Sequence, residues 1–236
     1  GHNKIVIFPY EIGGSGLNQD KVKPISKEDL STKYPKAKQY FEKNKEGLLD
    51  RADVDEEKWW TYPYPKNLNQ FDSEKLMTSV LNEESCFSYD NGDEFVFVGG
   101  GNAGGYGVKL SESSSISYEY LLSILNSRLL EWNLQKISSQ FRGGYFSYGK
   151  KYIENLPILE SDDYKDIFET LSKSLIYLSE SDSSSEDLVE DLENLTDIAV
   201  YELYFDRFDE TVVPIIEDRI GKVATDDKSG LENLLE

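Results

Sequence analysis

The sequence predicts an α+β protein, in which a mixed sheet with bracing helices is followed by a C-terminal helical region. Short apolar runs separated by glycine-rich turns occupy roughly the first 110 residues, as expected for strands. Apolar residues then recur with helical spacing from residue 117 onwards. The charge also changes along the chain: residues 1–158 carry a net charge of −3 and residues 159–236 a net charge of −17.

Composition limits what this chain does. It has 236 residues, 38% of them hydrophobic, which is enough for one large domain or two small ones. His2 is the only histidine, and Gly1-His2 resembles the end of an expression tag, which would make the chain an excised piece of a longer protein. A Ser-His-Asp triad, a Cys-His pair and the usual histidine-containing zinc sites are then excluded. We therefore expect no independent enzyme.

Cysteine and hydropathy bear on localisation. The single Cys86 excludes an intramolecular disulfide and a cysteine cluster for a metal. No apolar run approaches the length of a membrane span, and no signal peptide precedes the first strand. These features predict a cytoplasmic protein with no membrane partner.

Local patterns predict the first elements. Ile5–Phe8 and Val22–Ile25 indicate two strands. Ser26 is spaced to cap a short helical turn at Asp29. A better helix begins at Pro35, because proline is favoured at the first helical position, and we expect its Tyr40 and Phe41 to face the core.

The middle of the chain alternates strands with glycine-rich loops. Glu74–Val80 indicates a strand, and Asn91-Gly92 predicts a hairpin between Cys86–Tyr89 and Glu94–Val98. The run Gly99–Gly107 lacks the GK[ST] ending of a phosphate-binding loop and is followed by a short strand, so a close backbone approach explains it better than a nucleotide site.

Helical spacing is clearest after residue 116. The pattern predicts one helix from Ser117 to Gln140 with a single buried face. The residues of this face are Tyr118, Leu121, Leu122, Leu125, Leu129, Trp132 and Ile137. Three further helices are predicted at residues 164–178, 188–205 and 210–222, with a linker at 182–185 and a disordered tail at 224–236.

One stretch differs in charge from the rest of this acidic chain. Residues 132–153, here called the basic stretch, contain no acid and four cations, interleaved with aromatic side chains. Gly143-Gly144 permits a turn or a close approach. Cations with aromatics suit a polyanion, because lysine and arginine pair with phosphates while aromatic faces stack on bases. A solvated loop whose aromatics pack into the core is the competing interpretation.

Five motifs then occur in a characteristic order. They are Trp59-Trp60 with Lys66-Asn67-Leu68, Gly99–Gly107 ending in Gly-Tyr-Gly, the segment LLSILNS at 121–127, FRGGYF at 141–146 and YIENLPI at 152–158. Together they resemble the TaqI-like C-terminal specificity domain, the target-recognition region of adenine-specific DNA methyltransferases and of fused restriction–modification enzymes. The resemblance covers residues 4–158 and leaves an acidic helical region at 159–223.

The resemblance implies recognition of a double-stranded DNA sequence, with the reaction carried out elsewhere. The catalytic half of such enzymes has an FxG-type cofactor motif and an [ND]PP[YF] motif. This chain has no [ND]PP[YF] motif, because none of its prolines is adjacent to another. No catalytic residue, metal or cofactor is therefore expected here. S-adenosylmethionine is expected for the parent protein, a site-specific DNA methyltransferase alone or fused to an endonuclease.

Candidate DNA contacts follow from side-chain chemistry. Lysine and arginine are expected on phosphates, with Arg142 also suited to guanine in the major groove, whereas amides and hydroxyls are suited to base edges and tyrosines to sugars. The candidate phosphate contacts are Lys136, Arg142, Lys150 and Lys151; the candidate base readers are Gln140, Asn102 and Ser139; Tyr145 and Tyr148 are candidates for sugar contacts.

A different class of function also fits the charge. The acidic C-terminal helices would repel DNA, and they suit a protein-interaction module that docks on a basic partner or on the methyltransferase domain of the same polypeptide. Binding to a basic protein without binding to DNA would favour this alternative.

Overall fold

The computed structural model describes residues 6–13, 21–65, 68, 73–92, 104–180 and 186–205. The predicted strand Glu94–Val98, the linker at 182–185, the helix at 210–222 and the tail at 224–236 lie outside these residues. The chain forms two compact units, Gly1–Asp72 and Ser73–Glu236. Each is described by itself below, and the domain boundary predicted at residue 158 stays a prediction.

A β-hairpin opens the first unit. Strands β1 (Tyr10–Gly13) and β2 (Lys21–Pro24) pair antiparallel, with Tyr10 opposite Pro24. The strand predicted at Ile5–Phe8 is wrong, because residues 6–9 are not in a strand and β1 begins after Pro9. The Phe8 ring instead packs on Tyr10, at a centroid distance of 5.3 Å, while Ile7 is exposed.

Three short helices follow, α1 (Lys27–Thr32), α2 (Pro35–Lys43) and α3 (Lys45–Leu49). The predicted cap is confirmed, since Ser26 Oγ accepts a hydrogen bond from the backbone N–H of Asp29 at 3.0 Å. Phe41 is buried as predicted, but Tyr40 is 54% exposed. Neighbouring residues on a helix project about 100° apart, so only one of the two reaches the core.

Two tryptophans centre the small core of this unit. Trp59 and Trp60 are both buried, and Nε1 of Trp60 donates to the carbonyl oxygen of Ile25 at 3.1 Å. Arg51 donates to the carbonyl oxygen of Trp59 at 2.6 Å, which fixes the turn that carries both rings. Ile25, Leu30 and Phe41 complete this core.

The described residues of the second unit form two small antiparallel sheets. Strand β3 (Lys75–Ser79) lies between β5 (Ser88–Asp90) and β6 (Gly105–Val108), which confirms the strand predicted at Glu74–Val80. The two-residue strand β4 (Leu81–Asn82) pairs with β7 (Phe146–Ser147). An ion pair between Lys75 and Asp90, both buried, joins β3 to β5.

The long helix predicted from Ser117 to Gln140 is in fact two helices, α4 (Tyr118–Asn126) and α5 (Arg128–Ile137). They meet at Ser127, whose backbone is extended (φ −67°, ψ 148°). Ser127 Oγ donates to the carbonyl oxygen of Ile124 at 2.7 Å and accepts from the backbone N–H of Leu130 at 3.3 Å, so one side chain ends the first helix and caps the second.

This break changes which residues are buried. The inner face of α5 is formed by Leu130 and Leu134, both almost fully buried. Trp132 and Ile137, predicted to be buried, are instead exposed, Trp132 by 57%. A straight helix would have kept one continuous face, whereas the extended residue rotates the second helix relative to the first.

Two long helices follow in the described part of the second unit, α7 (Lys165–Glu180) and α8 (Glu186–Tyr204). They confirm the two amphipathic helices predicted there. Helix α7 packs on α4, where Phe168 meets Tyr120 edge-on and Ser172 shares a 2.7 Å hydrogen bond with Ser123. Helix α8 packs on α5 and α7. The predicted α+β class, with a helical C-terminal region, is therefore confirmed. Among the described helices, none is long and apolar enough to cross a membrane.

Candidate nucleic-acid interface

Within the basic stretch, residues 139–147 form a hairpin, here called the basic hairpin. The backbone N–H of Ser147 donates to the carbonyl oxygen of Ser139 at 3.0 Å, and that of Phe141 to the carbonyl oxygen of Tyr145 at 2.7 Å. Gln140 and Phe146 face each other in an antiparallel bridge. The predicted loop is therefore an ordered two-stranded element.

Glycine permits the tight tip of the hairpin. Gly143 and Gly144 have φ values of 90° and 91°, in the left-handed region that side chains disfavour. No atom lies within 4 Å of a Cβ built on Gly144, so backbone conformation rather than space requires glycine there. The predicted turn at this pair is confirmed.

Backbone and side-chain bonds fix the base of the hairpin. Strand β7 pairs with β4, and the N–H of Tyr148 donates to the carbonyl oxygen of Val80 at 2.8 Å. Ser138, at the C-terminal end of α5, donates its hydroxyl to the carbonyl oxygen of Ser147 at 2.6 Å. The hairpin is thus attached both to a sheet and to a helix end.

Arg142 lies at the exposed tip, beside the two glycines. No carboxylate among the described residues lies within ion-pair distance of its guanidinium. Phe141, next to it, is also exposed. A planar donor group carried on a narrow hairpin tip is therefore presented to solvent.

Helix α6 (Lys150–Ile153) places two more cations beside the hairpin base. Lys150 and Lys151 are exposed. Lys151 Nζ lies 4.5 Å from the centre of the Tyr152 ring, and the hydroxyls of Tyr152 and Ser139 lie 2.5 Å apart. Hydrogen bonds from Lys151 and then from Ser139 lower the pKa of Tyr152. Tyr152, absent from the sequence-based candidates, therefore links α6 to the hairpin.

The remaining cation lies on the last turn of α5. Lys136 is exposed, and its Nζ lies 5.6 Å over the ring of Trp132, itself exposed. Lys136 directly precedes Ile137, the last residue of α5, and Ser138 joins that end to the hairpin. A cation and an aromatic ring thus extend the surface from the hairpin onto the outer side of α5.

The candidate base readers differ in availability. Gln140 is exposed on the hairpin, and its backbone makes the bridge to Phe146, which leaves the amide side chain at the surface. Ser139 is exposed but shares its hydroxyl with Tyr152. Asn102 lies outside the described residues.

Of the two candidate tyrosines, Tyr145 lies at the surface and Tyr148 does not. Tyr148 is fully buried, its ring packs edge-on against Phe87 at 5.9 Å, and burial raises its pKa. We therefore assign Tyr148 to the core and withdraw it as a sugar contact. Tyr145 is exposed, and the neighbouring carboxylate of Glu83 raises the pKa of its phenol.

The contact with Glu83 was missed by sequence reasoning. The basic stretch contains no acid of its own. The pairing of β4 with β7 brings this carboxylate, 62 positions earlier in the chain, to the hairpin. Strands β4 and β7 have only two residues each, so no periodic pattern in the sequence predicts that they pair.

No group of three or more acidic, histidine or cysteine side chains is arranged to hold a metal ion within the described part of the chain. The basic stretch carries cations, hydroxyls, an amide and aromatic faces around an ordered hairpin.

Comparison with known proteins identifies the family to which the chain, with its basic hairpin, belongs. The family model of the TaqI-like C-terminal specificity domain matches residues 14–158, more than half of the chain. The chain belongs to this family of specificity domains, as the motifs in its sequence predicted. The basic hairpin and α6 lie wholly inside the matched region.

The chain is also similar in sequence to a curated protein. The chain is 28% identical, over 187 residues, to the type II restriction enzyme and methyltransferase RM.Eco57I of Escherichia coli. The match covers 75% of this chain and 18% of the relative, so the chain spans about a fifth of that protein's length. By its name, that relative combines a restriction enzyme with a methyltransferase.

Proposed function

We propose that this chain recognises a specific sequence of double-stranded DNA, as the specificity fragment of an adenine-specific restriction–modification methyltransferase whose catalytic domain lies outside it. The observation that carries the proposal is the exposed Arg142 at the tip of an ordered basic hairpin, inside the region matched by a specificity-domain family.

The shape of the hairpin supports this proposal. The major groove of B-form DNA is about 12 Å wide and admits a two-stranded β-ribbon. A hairpin held at its base by β4 and by Ser138 enters such a groove tip first. Arg142 is then the side chain that reaches farthest, and its fork of donors matches O6 and N7 of guanine.

The surrounding cations suit the backbone of the same duplex. Lys136 on α5 and Lys150 and Lys151 on α6 flank the hairpin base, whereas Arg142 is at its tip. Phosphate contacts orient a protein on DNA without reading its sequence. The lysines beside the hairpin base would therefore contact phosphates, whereas Arg142 and Gln140 on the hairpin would read the bases.

The chemical reaction is proposed to reside elsewhere in the same polypeptide. RM.Eco57I combines a restriction enzyme and a methyltransferase, and this chain corresponds to 18% of it. The [ND]PP[YF] motif is missing from this sequence, in which no two prolines are adjacent. We propose that a methyltransferase domain joined to the chain binds S-adenosylmethionine and modifies adenine, while this chain binds no cofactor.

Calorimetry tests the division of labour. S-adenosylmethionine titrated into the 236-residue chain is expected to give no binding heat, whereas the full-length enzyme is expected to bind it stoichiometrically. Stoichiometric binding to the chain alone would contradict the proposal.

The DNA-binding proposal is tested by selection. A library of randomised duplexes is incubated with the full-length enzyme, bound duplexes are recovered, and affinity is measured for the winning duplex and for a shuffled version. We expect a short shared sequence and affinity for the winning duplex at least about a thousandfold above that for the shuffled one. Equal affinity would contradict sequence recognition.

A protein-interaction role remains the second candidate, because of α8. This helix contains seven acids and no base. Five of the acids, Glu186, Asp187, Glu190, Asp191 and Glu193, are exposed. Salt-sensitive binding of the chain to a basic methyltransferase domain, with no binding to any duplex, would favour this function.

A further inference from the structure

A carboxylate of α8 accepts a hydrogen bond from the N-terminus of α5. Oδ1 of Asp197 accepts a hydrogen bond from the backbone N–H of Arg128 at 2.8 Å, and its Oδ2 lies 3.2 Å from Nε of Arg128. Arg128 is the first residue of α5, where backbone N–H groups lack partners within the helix and partial positive charge accumulates. One side chain therefore satisfies both the backbone and the guanidinium.

The two partners differ sharply in their surroundings. Asp197 is only 7% exposed and lies on the face of α8 that also buries Thr196, Ala199 and Val200. The side chain of Arg128 is 65% exposed. The packing of α8 thus fixes the position of the Asp197 carboxylate. The hydrogen bond from Arg128 ties the start of α5 to that position.

The other end of α5 connects to the basic hairpin. The helix has ten residues, a length of about 15 Å, and Leu130 and Leu134 bury its inner face in the core. At its C-terminal end, Ser138 bonds the carbonyl oxygen of Ser147. A packed helix of this length transmits a shift at one end to the other, since its backbone bonds leave little freedom between them.

We propose that Asp197 is a positioning residue, through which the acidic helix α8 sets the placement of α5 and thereby of the basic hairpin. This inference rests on the DNA recognition proposed above. It gives α8 a role in specificity without any contact between α8 and DNA, whose phosphates its exposed acids would repel.

Stability alone does not account for an acid at this position. Burial raises the pKa of the Asp197 carboxyl, and the N–H and charge of Arg128 oppose that rise without overcoming it. The ion pair itself contributes little to stability, because the Arg128 side chain is 65% exposed and solvent screens its charge. We therefore expect the effect of the residue on hairpin placement to exceed its effect on unfolding.

The test compares five forms of the full-length enzyme on the selected duplex and its shuffled version. Asp197→Ala removes both contacts with Arg128. Asp197→Asn keeps an oxygen that accepts the Arg128 N–H. Asp191→Ala is the matched control, because it makes the same charge change on an exposed position of the same helix. Wild type and Arg142→Ala are measured first, to establish DNA recognition by the hairpin.

Asp197→Ala is expected to lower the ratio of selected to shuffled affinity by about threefold to thirtyfold, at a temperature well below its unfolding midpoint. Asp197→Asn and Asp191→Ala are expected to stay within about twofold of the wild-type ratio. An unchanged ratio in a folded Asp197→Ala enzyme, or an equal loss in Asp191→Ala, overturns the positioning role. Absent discrimination in the wild type, or unchanged affinity of Arg142→Ala for both duplexes, instead overturns the proposed function.

A second variant breaks the same contact from the side of α5. Arg128→Pro removes the donor N–H, and proline is tolerated at the first helical position after the extended Ser127. It is expected to reproduce the loss seen in Asp197→Ala, and it decides the question if Asp197→Ala does not fold. Wild-type discrimination in a folded Arg128→Pro enzyme would contradict the proposal.

Discussion

Oγ of Ser139 and Oη of Tyr152 lie 2.5 Å apart, and this hydrogen bond joins the basic hairpin to α6. Tyr152 also lies under the ammonium of Lys151. The base of the hairpin and a flanking cation are therefore ordered by the same aromatic ring. An intact Tyr152 hydroxyl should matter for the hairpin's position more than for the overall fold.

Tyr152→Phe tests this link, because it keeps the ring and removes only the hydroxyl. We expect faster hydrogen exchange at the Ser147 N–H, which bonds Ser139, and unchanged exchange at Leu130 in α5. Tyr201→Phe is the control, since Tyr201 stacks on Phe205 and has no hydroxyl partner among the described residues. Equal exchange at Ser147 in wild type and Tyr152→Phe would show that the bond does not order the hairpin.

The glycine pair at the tip gives a backbone prediction. Gly144→Ala meets no atom within 4 Å, so its cost comes from φ alone, and we expect it to destabilise the second unit by more than about 1 kcal/mol. Gly47→Ala, in α3 and also in open space, should instead stabilise its unit by roughly 0.5–1 kcal/mol. Urea unfolding of each variant supplies both values, and a neutral Gly144→Ala would contradict the strained tip.

The buried pair of Lys75 and Asp90 predicts a large effect on stability. Asp90→Ala leaves the ammonium of Lys75 buried with only part of its partners, and we expect a loss of about 3–5 kcal/mol in the free energy of unfolding. The double variant Lys75→Met with Asp90→Leu should lie closer to wild type, because neither charge remains. A loss below about 1 kcal/mol for Asp90→Ala would mean that water reaches this pair.

Features set by local chemistry could be predicted from the sequence. The cap at Ser26, the helix start at Pro35 and the turn at Gly143-Gly144 each depend on residues within four positions of one another. Each motif of the specificity domain is likewise a short local segment of the sequence. Together, these motifs identified the family correctly.

Features set by distant contacts could not be predicted. The break at Ser127 interrupts a sequence whose apolar spacing permits a continuous helix. Asp197, which hydrogen-bonds the new N-terminus at Arg128, lies 69 positions after Arg128 in the chain. Tyr145 and Tyr148 look equivalent in sequence, yet strand pairing and core packing leave the first exposed and bury the second. The spacing of apolar residues in the sequence predicts neither the helix break nor the different burial of the two tyrosines.

Arg142 remains the most direct test of the account. Arg142→Ala in the full-length enzyme is measured by salt titration on the selected duplex and its shuffled version, with Lys150→Ala as the matched control. If the guanidinium reads guanine, affinity for the selected duplex falls by about 1–3 kcal/mol and specificity relaxes at one position. Lys150→Ala should weaken binding to both duplexes and reduce the salt slope by about one unit. Unchanged affinity of a folded Arg142→Ala enzyme for both duplexes would contradict the account, because the exposed hairpin tip would then play no part in binding DNA.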